Sequence, residues 1–292
     1  MKTGIQKHIS KIAIILIGCV AILAIYSLSR HNVGNQALSP KGGLDKIIAS
    51  REIKCGYLVY SPYIRRDPNT GKLSGIFYDM MEQIGKNANL KINWTEEVGF
   101  QSIFPSLDNN HFDVFCGGLW PNSTRAMAAS FSVPAFYSLI TAWVRADSNL
   151  KNLEDIRHHK DLKIATIDGA IEDLITRADY PDFPRTSLPE LSPFDQDMQN
   201  IITHKADVLF AEPAYMAEFM AKNPGTLRAL DPEHPLRVFG NTLAVKKGDL
   251  VTKEFLDHAI EEMVYSGQID KILARYEPVP NAFPRLAKPY KE

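Results

Sequence analysis

The sequence is short of cysteine and has no surplus of charge of either sign. Its three cysteines, Cys19, Cys55 and Cys116, form neither a disulfide framework nor a paired metal-ligand spacing. Lysine and arginine number 33 against 34 aspartates and glutamates. That balance argues against a nucleic-acid partner and against a solvating acidic tail. No Gly-x-Ser-x-Gly elbow, phosphate-binding loop or His-Glu-x-x-His pair occurs, so those hydrolase, nucleotide and zinc chemistries lack their signatures. His158 and His159 are adjacent, so their side chains diverge, and they read as a solvated turn. No internal repeat is present, and neither a cofactor nor a metal is expected.

What is there is ordinary globular composition: 292 residues, 45% hydrophobic and 23% charged, enough for one large domain or two modest ones. Lys2, Lys7 and Lys11 precede an unbroken apolar run over 12–28, the positive flank and hydrophobic stretch of an export signal or membrane anchor. Three fates stay open. Ser27-Leu28-Ser29 offers small residues for a signal peptidase. Leu16-Ile17-Gly18-Cys19 looks like a lipoprotein box, although the run continues nine residues past Cys19. Its seventeen residues also just reach the lower limit for a retained bilayer span. All three place the rest of the chain outside the cytoplasm, so segment 1–29 is a signal peptide or transmembrane anchor and 30–43 a linker without periodicity.

From residue 44 the pattern alternates. Strands are expected over 52–59, 91–95 and 112–116, with helices over 76–87 and 100–107 between them. A helix near 123–129 and an extended run over 139–145 lead to a second unit. Its expected strands are 163–167 and 207–210 and its helices 171–177, 196–204 and 214–222. A second extended run, 237–245, precedes a long amphipathic helical region over 253–276 interrupted near Gly267. This predicts an α/β fold of two lobes, each a sheet flanked by helices, with lobe 2 (143–239) inserted into lobe 1 (44–142 plus 240–277) and the two extended runs as a hinge. The Pro-rich tail over 278–292 is expected on the surface. Open α/β sheets bind ligands beyond the carboxyl ends of their strands, which here face each other across a cleft.

Dispersed but ordered markers over 44–276 resemble the family 3 extracellular solute-binding proteins, the amino-acid-binding components of ABC transporters, with a type II periplasmic-binding-protein fold. Tyr60-Ser61-Pro62-Tyr63 is similar to that family's aromatic turn after the first strand. Gly75-Ile76-Phe77-Tyr78-Asp79 resembles its helix start, and Phe112-Asp113-Val114, Arg125 and the run from Phe131 to Tyr137 resemble its central signature. Gly169 opens the first helix of lobe 2, Asp207 to Glu212 resembles the strand ending in a ligand-facing carboxylate, and Gly240 to Lys247 resembles the return hinge.

The resemblance implies that Arg125 holds a ligand carboxylate. Its planar fork suits bidentate grip, against the alternative of a solvated arginine at a helix start. It implies that Glu212 receives the ligand's ammonium, against the alternative of a helix-capping acid before Pro213. Tyr60 would give the ligand an aromatic face, or be core; Trp120, on a loop flanked by Gly117, Gly118 and Pro121, would form a cleft wall. Gly118 permits close backbone approach. Gly169, Ala170 and Ile171 present a helix N-terminus to an anion. Asn122 replaces the family's threonine, and Ala170 and Ile171 replace its hydroxyls, so a more apolar site is expected. Cys55 and Cys116 fall in neighbouring apolar strands; export permits a disulfide, and buried thiols are the expectation.

Three functions compete. One is a binding protein that captures an amino-acid-like small molecule and hands it to an ABC transporter permease, in the periplasm and membrane-tethered or secreted. The second is a periplasmic dehydratase of cyclohexadienyl or arogenate type on the same fold, and the third a ligand-sensing module.

Overall fold

The computed structural model describes residues 42–280 and 282–285. The apolar run 12–28, Cys19, the linker through residue 41, Asn281 and residues 286–292 lie outside the described residues. So do the expectations of a signal, an anchor or a lipid-bearing cysteine. Among the described residues no helix is long and apolar enough to cross a membrane.

Helix α1 (Gly43–Ser50) leads into strand β1 (Glu52–Tyr57). A hairpin of β2 (Arg65–Arg66) and β3 (Leu73–Ser74) precedes helix α2 (Ile76–Ala88). Strand β4 (Lys91–Glu97), helix α3 (Ile103–Asp108) and strand β5 (Val114–Leu119) follow. β1 lies between β4 and β5 and is parallel to both, which requires the crossover helices between them. Strand β12 (Arg237–Lys246) returns from far along the chain, antiparallel to β5 and to β6 (Ala129–Phe131). Side-chain alternation divides the burial. Val114 and Cys116 pack with Phe77, Met80 and Ile84 of α2 and with Leu256, Ile260 and Met263 of helix α9 (Leu250–Tyr265). Phe115 and Leu119 face Ile103 and Leu107 of α3.

The second sheet contains β8 (Ile164–Ile167), β9 (Arg185–Leu188), β10 (Val208–Ala211) and β11 (Leu227–Ala229), with the later part of β7 (Phe136–Arg145). β8 is parallel to β9 and β10; β7 is antiparallel to β10 and β11. Helices α6 (Ile171–Asp179), α7 (Asp195–Ile202) and α8 (Pro213–Lys222) cover it. Val208 and Phe210 enter one core with Ile164, Ile171 and Ile175, whereas Leu209 and Ala211 enter another with Met198, Ile201, Met216 and Phe219. Burial on both faces explains why β10 reads as an uninterrupted apolar run. β7 and β12 pair antiparallel where Phe136–Ile140 meets Asn241–Arg237, so β12, paired beyond that stretch with β5 and β6, and β7, paired beyond it with β10 and β11, join the two sheets in one continuous strand order. The architecture is the expected α/β clamshell of two lobes.

Several local expectations are corrected. Cys55 and Cys116 are joined by a disulfide, with Cα atoms 5.5 Å apart across the neighbouring strands β1 and β5. Apolar burial alone favours thiols, but strand pairing brings the two sulfurs together. The tail does not stay wholly on the surface. Ala282 and Phe283 are buried in the core of α2 and α9, with the Phe283 ring 5.6 Å from that of Phe136. One aromatic anchor outweighs a Pro-rich composition. His158 ends a helix, α5 (Leu153–His158), that begins at Asn152, whose side chain accepts from the Asp155 N–H at 3.0 Å. The expected helix over 123–129 is a single turn, α4 (Ser123–Ala126), after which the chain turns into β6. The terminal helical region, by contrast, breaks at Gly267 as expected, in the left-handed conformation, with α10 (Gln268–Tyr276) beyond it.

Candidate ligand-binding site

A small cavity of about 40 Å³ lies where the ends of β1, β5 and α4 approach the start of α6 and the segment before α7. Tyr60, Gly118, Trp120, Arg125, Ala170 and Ile171, all expected from the sequence, line it. Gly169 and Glu212 adjoin it through contacts with Arg125 and Tyr60.

Arg125 sits on the single turn of α4, whose N-cap Asn122 accepts the Arg125 backbone N–H at 2.8 Å. The guanidinium is not solvated; the residue is 8% exposed. Nη1 donates to the Trp120 carbonyl at 2.9 Å and Nη2 to the Gly169 carbonyl at 3.2 Å. These main-chain acceptors orient the fork without neutralising it, and among the described residues no carboxylate forms an ion pair with it. Burial pulls its pKa down to about 10, so it stays charged at neutral pH.

Gly118 has φ +79°, and a Cβ there would lie 2.2 Å from the Phe77 ring; the close packing needs glycine. Trp120 stacks on Phe239 with ring centroids 5.0 Å apart, and its Nε1 donates to Asn241 Oδ1 at 2.9 Å. Asn241 Nδ2 donates to Ser138 Oγ at 2.7 Å, and Ser138 shares a 2.6 Å hydrogen bond with the Tyr63 hydroxyl. The cavity wall is thereby fixed to β7 and β12, the two strands that join the sheets. Tyr60 packs against Phe194, Tyr215 and Tyr63 with centroids 4.4, 4.9 and 5.4 Å away.

Glu212 follows β10 and directly precedes Pro213. It occupies the N-cap position of α8, yet its side chain makes no cap hydrogen bond. Instead Oε2 accepts from the Tyr60 hydroxyl, while Oε1, buried, has no partner. Glu212 is 1% exposed, and burial pushes its pKa up to about 7 against the lowering effect of the Tyr60 bond. Glu212 does not line the cavity; the acid that does is Glu172, in the first turn of α6. Glu172 Oε1 accepts from the Ile167 N–H at 3.1 Å. Burial, with Asp197 and Glu212 nearby, raises its pKa well above the ordinary carboxylate range. Sequence reasoning missed Glu172, along with the lining residues Tyr63, Phe100, Leu119, Phe194 and Asn241. Glu172 could have been found three residues after Gly169, at the helix start already singled out. Phe194 carries no periodic signal.

The model of the bacterial extracellular solute-binding proteins, family 3, matches residues 53–278. A probable histidine-binding protein of Neisseria gonorrhoeae is 26% identical over 252 residues, covering 82% of this chain and 90% of that protein. An L-glutamate/L-aspartate-binding protein of Pseudomonas aeruginosa is 24% identical over 253 residues, 82% of each chain. The solved structure of a cysteine-binding protein from Campylobacter jejuni superimposes with a TM-score of 0.71 at 20% identity, covering 85% of this chain and 96% of that one. At that identity the likeness is one of fold.

Proposed function

Because the chain belongs to the bacterial extracellular solute-binding proteins, family 3, we propose that it captures an amino-acid-like ligand in the Arg125 cavity and presents it to an ABC-type importer. The observation that carries this reading is the Arg125 guanidinium, buried in a cavity wall without a carboxylate partner. A buried cation of that kind is costly unless something anionic meets it, and its fork suits a carboxylate. Ala170 and Ile171 bring the N-terminus of α6 to the same cavity, where backbone N–H groups favour an anion. Glu212, with one oxygen unpartnered, takes the ammonium when the ligand displaces or adjoins the Tyr60 hydroxyl. Tyr60, Gly118, Trp120 and Gly169 complete the ligand's surroundings.

In this reading lobe 1 comprises 44–142 with 240–277, lobe 2 comprises 143–239, and β7 with β12 is the hinge between them. The protein works in the periplasm, consistent with its family and with the Lys-flanked run 12–28, which either tethers it to the inner membrane or is removed on export.

A thermal-shift screen of the full-length protein against the proteinogenic amino acids, followed by calorimetry on the hits, tests the reading. At least one unaltered amino acid is expected to stabilise the protein and bind with micromolar or better affinity, about −8 kcal/mol. No amino-acid binding, together with turnover of prephenate or arogenate, would replace it with the dehydratase reading.

A further inference from the structure

The wall of the cavity assigned to the ligand and the shell behind it together carry more acid than a single ligand ammonium requires, and the specificity inferred from that excess rests on the amino-acid reading. Three carboxyl groups gather at the site. Glu172 lines the cavity and is 5% exposed. Glu212 stands behind Tyr60 with Oε1 unpartnered; Asp197, 2% exposed in the first turn of α7, has an unpartnered Oδ1. They feel one another: the charges of Asp197 and Glu212 both act on Glu172, and all three act on Tyr215 of α8.

The other charged or titratable groups around them are Arg125 of α4, Asp195 of α7, and Tyr60 and Tyr63 after β1. Asp173, beside Glu172, is taken up by Arg177 at 2.9 Å and Arg185 at 2.8 Å. Among the described residues Arg125 is the one cation lining the cavity, and of the three acids only Glu172 acts on it.

A zwitterion leaves this balance unchanged. Its carboxylate occupies Arg125 and its ammonium answers one acid, so two buried carboxyls still lack a cation. Buried carboxyls in that position hold protons or attract positive charge. The rest of the wall favours the second outcome. Tyr60, Phe100, Trp120 and Phe194 supply aromatic faces, which attract a cation. Asn241, the lining amide, is already bonded to Trp120 and Ser138 and has little to offer a neutral polar side chain.

We propose that Glu172, backed by Asp197, is a specificity-determining acid of this cavity and that the ligand is an amino acid whose side chain carries an ammonium or guanidinium. The arriving cation displaces protons from the carboxyl cluster, so binding releases protons, whereas a neutral amino acid has nothing to exchange for them.

Calorimetric titration of the full-length protein with L-lysine, L-arginine, L-glutamine and L-leucine, each in two buffers of different ionisation enthalpy, tests this. Lysine or arginine is expected to bind at least about tenfold more tightly than glutamine or leucine, a margin of about 1.4 kcal/mol, with net proton release. Glu172→Gln, which keeps an acceptor for the Ile167 N–H, is expected to reduce the lysine-to-glutamine affinity ratio about tenfold; Asp197→Asn should shift it the same way. Glutamine or leucine binding as tightly as lysine and arginine, without proton release, overturns the inference and leaves the amino-acid reading intact. Binding of none of the four overturns this inference; the amino-acid reading falls only if the screen of all the proteinogenic amino acids also finds no ligand. Should either variant fail to fold, the selectivity and proton release of the unaltered protein still decide.

Discussion

The phenol of Tyr60 donates to Oε2 of Glu212, tying the loop after β1 to the end of β10. The bond holds one oxygen of a fully buried carboxyl and pulls its pKa down, while the other oxygen has no partner. Tyr60→Phe keeps the ring that packs on Phe194 and Tyr215 but removes the stronger of the two tyrosine hydroxyls that lower the Glu212 pKa, leaving only Tyr63. An unsatisfied buried acceptor costs about 1–3 kcal/mol. The melting temperature should therefore drop, and the Glu212 titration midpoint should rise above its value of about 7. Thermal melts and carboxyl NMR of the variant would show both. An unchanged midpoint would mean that the bond does not set the ionisation of Glu212.

Glu212, Glu172 and Asp197 all hold their protons more tightly in the folded protein than in the unfolded chain. For Glu212 the native state binds the extra proton between the ordinary carboxyl value of 4.5 and the shifted value of about 7. The stability this contributes is fully present below the lower value and is lost as pH rises through the upper one. For Glu212 alone the span corresponds to roughly 3 kcal/mol, at about 1.4 kcal/mol per unit. Ligand-free protein should melt at progressively lower temperature from about pH 5 to about pH 8, and Glu212→Gln should flatten the slope. A melting temperature that climbs across this range would show that these groups do not dominate the balance.

Arg125 makes a separate test of the site. Losing one partner of a buried, hydrogen-bonded charge pair costs roughly 3–5 kcal/mol, or on the order of a hundred- to a few-thousand-fold in affinity. Arg125→Ala should show a loss of that size by calorimetry with whichever amino acid the screen identifies. Arg125→Lys should also fail substantially, because a point charge cannot bond the Trp120 and Gly169 carbonyls and a ligand carboxylate together. Binding by Arg125→Ala within about threefold of the parent, under 1 kcal/mol, would remove Arg125 from the site.

The long elements and the two crossings are legible in the sequence because they follow from periodicity. The helical spacing of Phe77, Met80, Met81 and Ile84 marks α2, and the apolar run 208–211 marks a strand buried on both faces. Short pieces held by tertiary pairing are not. β9 and β11 alternate weakly and are strands because β8 and β7 offer them partners, a dependence that local propensity does not carry. Half of the site is legible in a different sense. Arg125 and Glu212 are singled out by the resemblance to the family's signature, since local pattern alone reads equally as a solvated arginine and a helix-capping acid. That Tyr60 lies between Glu212 and the cavity, with Glu172 facing it instead, depends on how two distant segments meet.

The Cys55–Cys116 bond links β1 to β5 across 61 residues of sequence. Closing a loop of that size in the unfolded chain corresponds to about 4 kcal/mol in the chain-entropy treatment. Paired Cys55→Ala and Cys116→Ala substitutions should lower the urea midpoint accordingly, and reductant should lower that of the parent but not of the variant. Identical midpoints in oxidised and reduced parent would show that the bond is not formed or does not constrain the unfolded chain.

Contacts that the segment 61–101 makes with the segment 190–218 predict how the closed form is held. Glu218 of α8 accepts from Ser61 Oγ at 2.5 Å and pairs with Arg65, and Glu190 accepts from the Gln101 N–H at 2.7 Å. The Arg65 and Glu218 side chains are 38% and 30% exposed, so this pair should contribute under about 1 kcal/mol. A contact that weak cannot hold the lobes closed alone, yet it can shift a finely balanced equilibrium about fivefold at most. If β7 and β12 form the hinge, ligand should reduce the radius of gyration in small-angle scattering. Glu218→Ala should raise the ligand-free radius while leaving the saturated one as it was, because ligand contacts then supply the closing free energy. A radius that ligand does not change would count against closure. A saturated Glu218→Ala protein as expanded as its ligand-free form would instead make Glu218 the principal latch.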